Sequence, residues 1–299
     1  MLKLTVLDAF NSLPFHGLTY PSLQPLLFSA GNAAVTAVGA TEEGEAAGLA
    51  LALRLPQKGF TRLASLFVRE GSRRRGIATR LLAALEDELR REGVERLEAS
   101  YQTGRTTSEA APRLLARLGW PEARPDRLVC RCDRRMLDSP WLARDYSLPR
   151  DSSIVPWTEV RAAEIEALRE SQHSDPWIPD SLRPWEYRDI AFNSVAMRHK
   201  GALAGWVLTQ RFDSSTLVYS NSYMHPTLQR TARILALYVR AIRAQAADPT
   251  LPNAVWVVPF VHPTMVRFVR STLAPHMNRV EELHVSIKPL AATTVGAPA

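Results

Sequence analysis

Sliding the sequence past itself by 156 residues lays "FVREGSRRRGIATRLL" (67–82) over "YMHPTLQRTARILALY" (223–238), placing Phe67 on Tyr223, Val68 on Met224, Arg73 on Gln229 and Leu81 on Leu237. At an offset of 157, "AGLALAL" falls on "AGWVLTQ" and Gly48 on Gly205. A period of about 150 residues marks a duplicated domain, because solenoid repeats recur every ~20 to 50 residues. The length of 299 residues also exceeds one ordinary domain. The expected organisation is a first domain over 1–135, a polar, proline-bearing linker over 136–151, a second domain over 152–290 and a tail over 291–299.

Each half alternates strands and helices, an α/β (α+β) pattern. In the first half, β-branched or alternating runs predict strands at 3–10, 33–41, 47–55, 61–68, 96–101 and 128–133, with helices near 21–29, 75–92 and 108–118. The 75–92 helix has the clearest period: Ile77, Leu81, Leu82, Leu85 and Leu89 form one stripe, Glu86/Arg90 and Asp87/Arg91 are i,i+4 pairs on the other face, and Gly93 ends it. The second half repeats the order, with strands at 154–157, 195–199, 202–210, 216–224, 255–261 and 282–287 and helices at 159–171, 228–246 and 264–273.

The charge narrows the partners. The formal +7 is split evenly, 20 basic against 16 acidic residues over 1–140 and 17 against 14 over 141–299, and only four basic residues are lysines. With no basic tail, nucleic-acid binding is not expected, and small anionic ligands fit better. Cys130 and Cys132, two apart on a predicted strand, are too close for a relaxed disulfide and too few for zinc; buried free thiols in a reducing compartment are expected, with no metal. No apolar run approaches the ~18 to 20 residues of a membrane span, and "MLKLTVLDAF" lacks the make-up of a signal peptide, so the expected location is cytoplasmic. The oligomeric state is not legible.

The densest basic cluster, "REGSRRRGIATRLL", joins an apolar strand to the long helix. A helix N-terminus carries unpaired N–H groups and partial positive charge, glycine lets a ligand approach the backbone, and arginines add charge-assisted bonds. Such a junction suits a pyrophosphate. The alternative is a solvated basic turn with a chance glycine.

Arg73, Gly76 and Ala78 meet the acyl-CoA-binding signature of the GNAT superfamily of N-acyltransferases, namely Arg or Gln, two residues, Gly, any residue, then Gly or Ala. "EAAPRLLARLGW" followed by "RLVCRC" resembles that family's closing helix and last strands, with Leu118-Gly119-Trp120 where Leu-Gly-Phe often stands. The resemblance covers roughly residues 1–133, and 152–290 through element order and a degenerate motif. It implies two GNAT-like domains, each a mixed, mostly antiparallel sheet flanked by helices. It also implies acetyl-CoA or a longer acyl-CoA as co-substrate, and an amine of a small molecule or peptide as acceptor. The backbone of Leu66, Phe67 and Val68 would hold the pantetheine arm and polarise the thioester carbonyl. Arg73, Arg74, Arg75, Gly76, Ile77, Ala78 and Thr79 would hold the pyrophosphate.

Departures from the family pattern bear on catalysis. Glu70 replaces a common proline, "TRLASLFV" lacks the carboxylate many members use as base, and Leu115 stands where many place an acidic tyrosine. Tyr101 and Ser100, at the end of the strand after the long helix, are the substitute candidates, or else structural residues. His173, His199, His225 and His262 are further options. In the second copy Pro226 and Gln229 keep the pattern, but Ala232 and Ile234 put side chains where phosphate would approach; this copy is expected not to bind CoA in the usual way. A protein that binds CoA without catalysis is the rival reading.

Trp177, Trp185 and Tyr187, set among Asp175, Asp180 and Glu186, offer an acceptor site through cation–π and charge pairing, or else anchor a loop in the core. In "AAGLALALRL" leucines 49, 51, 53 and 55 alternate with alanines 50 and 52; the small face either lines an acyl tunnel or packs against a helix.

Overall fold

A computed structural model describes residues 1–55, 59–104, 109–231 and 233–290. The chain forms two compact units, Met1–Asp126 with Glu282–Ala299, and Arg127–Glu281. Each unit is thus completed by the last strand of the other half of the sequence.

The first unit contains β1 (Leu2–Val6), β2 (Val35–Glu42), β3 (Glu45–Leu55), β4 (Phe60–Val68), β5 (Arg96–Gln102) and, from the end of the chain, β12 (Arg279–Pro289), of which Leu283–Pro289 pair with β5. Their order is β1-β2-β3-β4-β5-β12, antiparallel except for β4 against β5. Helices α1 (Gln24–Leu27), α2 (Ile77–Arg91) and α3 (Ala110–Arg117) connect them. Of the helix expected over 108–118, Ser108 lies outside the described residues.

Helix α2 packs as its stripe predicts. Ile77, Leu81, Leu82, Leu85 and Leu89 are buried against Val38, Ala40, Ala50 and Ala52 of the sheet, each contributing about 2 kcal/mol of apolar burial. Gly48 makes this contact possible, because a Cβ there would lie 2.8 Å from Leu81 Cδ1 and 3.0 Å from Phe67 O. On the other face of β3, Leu49 and Leu51 pack with Phe15 and Leu27. Both faces are filled, so the alanine face is packing for α2 and not a tunnel.

The outer face of α2 departs from expectation at Glu86. It is buried, and it accepts Trp120 Nε1 at 2.7 Å and Lys288 Nζ of β12 at 2.6 Å, with Arg90 Nη2 at 3.3 Å. Arg90 also reaches Asp87 at 2.6 Å, and Arg91 pairs with Glu88 in place of Asp87. Lys288 also donates to Leu118 O at 2.6 Å. The sequence spacing of Glu86 and Lys288 hides this pair, because the strand that delivers Lys288 belongs to the other half of the chain.

The second unit contains β6 (Arg124–Cys132), β7 (Ser152–Pro156), α4 (Ala162–Ser174), β8 (Val195–His199), β9 (Ala202–Arg211), β10 (Thr216–Met224), α5 (Ile234–Ala246), β11 (Asn253–Pro259) and α6 (Pro263–Phe268). The order β7-β8-β9-β10-β11-β6 repeats that of the first unit, with β10 against β11 the parallel pair. Gly48 opposes Val68 and Gly205 opposes Met224, so the residues aligned by the repeat occupy equivalent places. The expected linker is folded: Arg134–Asp138 and Pro140–Ala143 are 3₁₀ turns whose Met136, Trp141 and Leu142 enter the core of the second unit. Cys130 and Cys132 are free and buried, and burial pushes both thiols up to about 12.

Two stability predictions follow from these contacts. Lys288→Ala leaves the Glu86 carboxylate buried without its strongest partner and should cost about 3–5 kcal/mol in urea denaturation, whereas Glu86→Leu with Lys288→Met together should cost less than either charge deletion alone. In the second unit Glu164 accepts Arg198 Nε at 2.7 Å and the Arg161 N–H at 3.0 Å, which lower its carboxyl from 4.5 to about 2. A depressed carboxyl stabilises the fold above 4.5, and that contribution is lost as pH falls towards 2. Glu164→Gln should therefore flatten the melting temperature against pH in this window.

Candidate functional site

Strands β4 and β5 form a fork. They pair only at Thr61↔Leu97 and Arg62↔Glu98 and then separate. The register of β4 on β3 jumps from Leu51↔Ser65 to Ala52↔Leu63, leaving Ala64 as a bulge at the point of separation. A bulge bends and twists its strand. Beyond it β4 has β3 on one side and, among the described residues, no paired strand on the other, while β5 keeps β12 through Gln102↔Leu283.

Amide directions along β4 follow from one bond: Arg69 N–H donates to Ala47 O at 2.9 Å. Alternation then turns Phe67's backbone groups towards β3, and those of Leu66 and Val68 into the fork.

The chain leaves β4 through a 3₁₀ turn, Glu70–Ser72, and enters α2 at Gly76. Gly76 has φ +77° and Arg74 φ +63°, both in the left-handed region. No side chain caps the helix, its first turn holds no acidic residue, and a Cβ on Gly76 would meet nothing within 4 Å. Arg80 N–H donates to Gly76 O at 3.1 Å, so the amides of Ile77, Ala78 and Thr79 precede the intrahelical ladder. Uncapped N–H groups, a helix dipole and an open approach are the donor set an anionic phosphate requires.

The three arginines have different surroundings. Arg75 binds Glu42 through Nη1 at 2.9 Å, and Ser72 Oγ donates to the same carboxylate at 3.1 Å, so these bonds fix the loop on β2. Arg73 Nε donates to Val68 O at 3.1 Å, with its guanidinium 5.9 Å from the Phe67 ring centre. Arg74 is exposed and has no ion pair among the described residues.

Tyr101 and Ser100 are neighbours on β5, so their side chains point to opposite faces and cannot act as a pair. Tyr101 lies on the α2 face with Leu66 and Val68. Burial, then the charge of Glu122, raises its phenol above the ordinary value. Ser100 is exposed on the other face, which it shares with Glu98, a buried carboxylate bound by Arg62 Nε at 2.9 Å. Glu98 escapes a sequence reading centred on β4, because it sits on the partner strand at the last paired position.

Trp177, Trp185 and Tyr187 come together in one apolar cluster of the second unit, around Trp206 and Tyr223. Trp177 stacks on Tyr223 at 5.8 Å and meets His225 edge-on at 4.7 Å. Tyr187 Oη donates to Ser181 O at 3.2 Å. Their rings fasten the 175–190 segment to the sheet, so the structure places them in packing.

The second copy keeps the scaffold of the first and changes its entrance. Gln229 Nε2 donates to Met224 O at 2.7 Å, the counterpart of the Arg73 to Val68 bond. The chain then runs through a 3₁₀ segment, Pro226–Thr231, and enters α5 from Arg233 with φ −60°, right-handed. Ala232 lies outside the described residues. Tyr238 of α5 bonds Ser222 Oγ at 2.7 Å and packs on Trp256 at 5.2 Å.

Residues 6–120 match the Acetyltransferase (GNAT) family model. Over the whole chain, the fold is similar to a tandem GNAT protein from the clavulanic acid biosynthesis pathway, at TM-score 0.66 and 17% identity, covering 100% of both chains. A GCN5-related N-acetyltransferase from Sphaerobacter thermophilus matches at TM-score 0.55 and 14% identity, over 97% of this chain and 96% of that one. No curated protein sequence matches significantly. Residues 6–120 thus match the GNAT acetyltransferase family, and the chain has the tandem GNAT fold throughout. Among the described residues no helix is long and apolar enough to cross a membrane, and no group of three or more His, Cys, Asp or Glu could hold a metal.

The left-handed entrance gives a direct stability test. Gly76→Ala meets no steric neighbour but must hold φ +77°, so it should lower stability by about 1–2 kcal/mol, read as an urea midpoint shift, with the fold retained by circular dichroism.

Proposed function

We propose that the protein is an acyl-CoA-dependent N-acyltransferase whose donor site is the fork and helix entrance of the first unit. The observation that carries this reading is the uncapped, left-handed entrance of α2 beside an unpaired strand edge. The thioester co-substrate supplies the acyl group. Ile77, Ala78 and Thr79 N–H groups with Arg74 receive the pyrophosphate, and the Leu66 and Val68 backbone groups bind the pantetheine amides. A fixed N–H of β4 near the bulge stabilises the oxyanion that develops as the amine attacks.

The acceptor amine approaches from the face of Glu98 and Ser100. Glu98 is the carboxylate nearest the apex of the fork, suited to hold an ammonium or take its proton. Holding both partners in place supplies most of the acceleration. The second unit is the supporting copy, as its right-handed entrance and the aromatic packing of Trp177, Trp185 and Tyr187 favour structure over donor binding.

Calorimetry with acetyl-CoA and longer acyl-CoAs tests this. The expected result is one site per chain, abolished by Gly76→Glu through steric block and charge repulsion, and unaffected by Ile234→Glu in the second copy. Absence of binding to every acyl-CoA overturns the reading. Binding without transfer to any amine of a broad panel supports the non-catalytic alternative.

A further inference from the structure

β12 brings two polar side chains to the α2 face of the fork that no feature of the first half encodes. His284 stands opposite Tyr101 in the register, and its ring stacks on the phenol at 5.5 Å between centres and 24° between planes. Glu282, two residues earlier and on the same face, lies 3.1 Å from His284 Nε2 through Oε2. The imidazole is largely buried, 18% exposed in its side chain, which limits the positions it can take. Tyr101 is three residues past the last β4–β5 pair, at Glu98, so it stands on the wall of the fork where β5 has lost β4. Its Oη makes no hydrogen bond among the described residues.

We infer that His284, anchored by Glu282, is a positioning residue that fixes the Tyr101 phenol at the wall of the fork, where Tyr101 acts as the acid for the departing thiolate. This rests on the donor-site reading above. The C–N bond forms as the C–S bond breaks, the amine gives its surplus proton to water or Glu98, and the thiolate sulfur takes the Tyr101 proton, which solvent then restores. His284 does not touch the reacting atoms. It acts by holding the phenol ring, in the way a third residue orients an acid or base in other sites. The chemistry of the first unit then depends on a strand from the far end of the chain.

A mutant cycle on the full-length protein tests this, measuring free CoA released from acetyl-CoA with water or a panel of amines as acceptor. Tyr101→Phe should lower kcat about 100-fold, the low end for loss of a general acid. His284→Ala should lower it about 10-fold with KM for acetyl-CoA within about twofold, and the double variant should be no slower than Tyr101→Phe alone, because residues acting as a unit are non-additive. His284→Phe, which keeps a ring on Tyr101, should recover activity to within about threefold of wild type. Melting curves confirm folding for each variant. Multiplicative losses in the double variant, or an unchanged kcat in His284→Ala, overturn the inference. Wild-type protein that binds acetyl-CoA calorimetrically but releases no CoA overturns it while leaving the donor site standing. Failure to bind acetyl-CoA at all removes both.

Discussion

The carboxylate of Glu86 holds the first unit together across 202 residues of sequence. It sits on α2 and receives Lys288 from the final strand, Trp120 from the segment after α3, and Arg90 from its own helix. Taking these charges out of water is costly, and the return is fixed geometry more than net stability. The bond sets where β12 stops sliding along β5. A slip of one residue would turn Lys288 and His284 to the other face, and a slip of two would keep the face but break both contacts. The same register that satisfies Glu86 therefore sets His284 on Tyr101.

The fork leaves part of a strand edge unpaired without unravelling the sheet. Elsewhere in a sheet, unpaired amides cost stability or invite aggregation. Here the bulge at Ala64 bends β4 away from β5 after two pairs, and the strand edge is confined between packed neighbours. The second unit repeats the device: β10 pairs with β11 from Thr216 to Tyr219, and a register jump follows between Tyr219 and Asn221. The two copies part at the next step. Left-handed Gly76 precedes α2, whereas Arg233 before α5 is right-handed. Backbone handedness over a few residues thus distinguishes the two helix entrances.

Much of this was legible in the sequence where the signal is local. The stripe of α2, the glycine at its entrance and the repeat relating Gly48 to Gly205 are carried by spacing within one element. The exchange of β6 and β12 leaves no such trace, since a strand of alternating residues pairs equally well with either half. Glu98, Glu282 and His284 were hidden for that reason or because they face another strand. The polar 136–151 stretch reads as a linker by composition, yet Met136, Trp141 and Leu142 give it enough apolar surface to fold onto the second unit. Trp177, Trp185 and Tyr187 can be read as an acceptor site or as an anchor, and in the structure they pack in one cluster with Trp206 and Tyr223.

The arginine cluster shows why charge counting overstates a binding site. Three consecutive guanidinium groups look like three phosphate ligands, but two have internal work. Arg75 is neutralised by Glu42, which ties the loop to β2 and fixes where α2 begins. Arg73 donates to the Val68 carbonyl and lies near the Phe67 ring, at the end of β4. Arg74, with a left-handed backbone, is exposed and has no ion pair among the described residues. The exposed Arg74 and the uncapped N–H groups of Ile77, Ala78 and Thr79 are therefore two different kinds of positive charge. Backbone dipoles fixed in a helix need no reorganisation to face a charge, whereas the field of an exposed side chain is screened by salt.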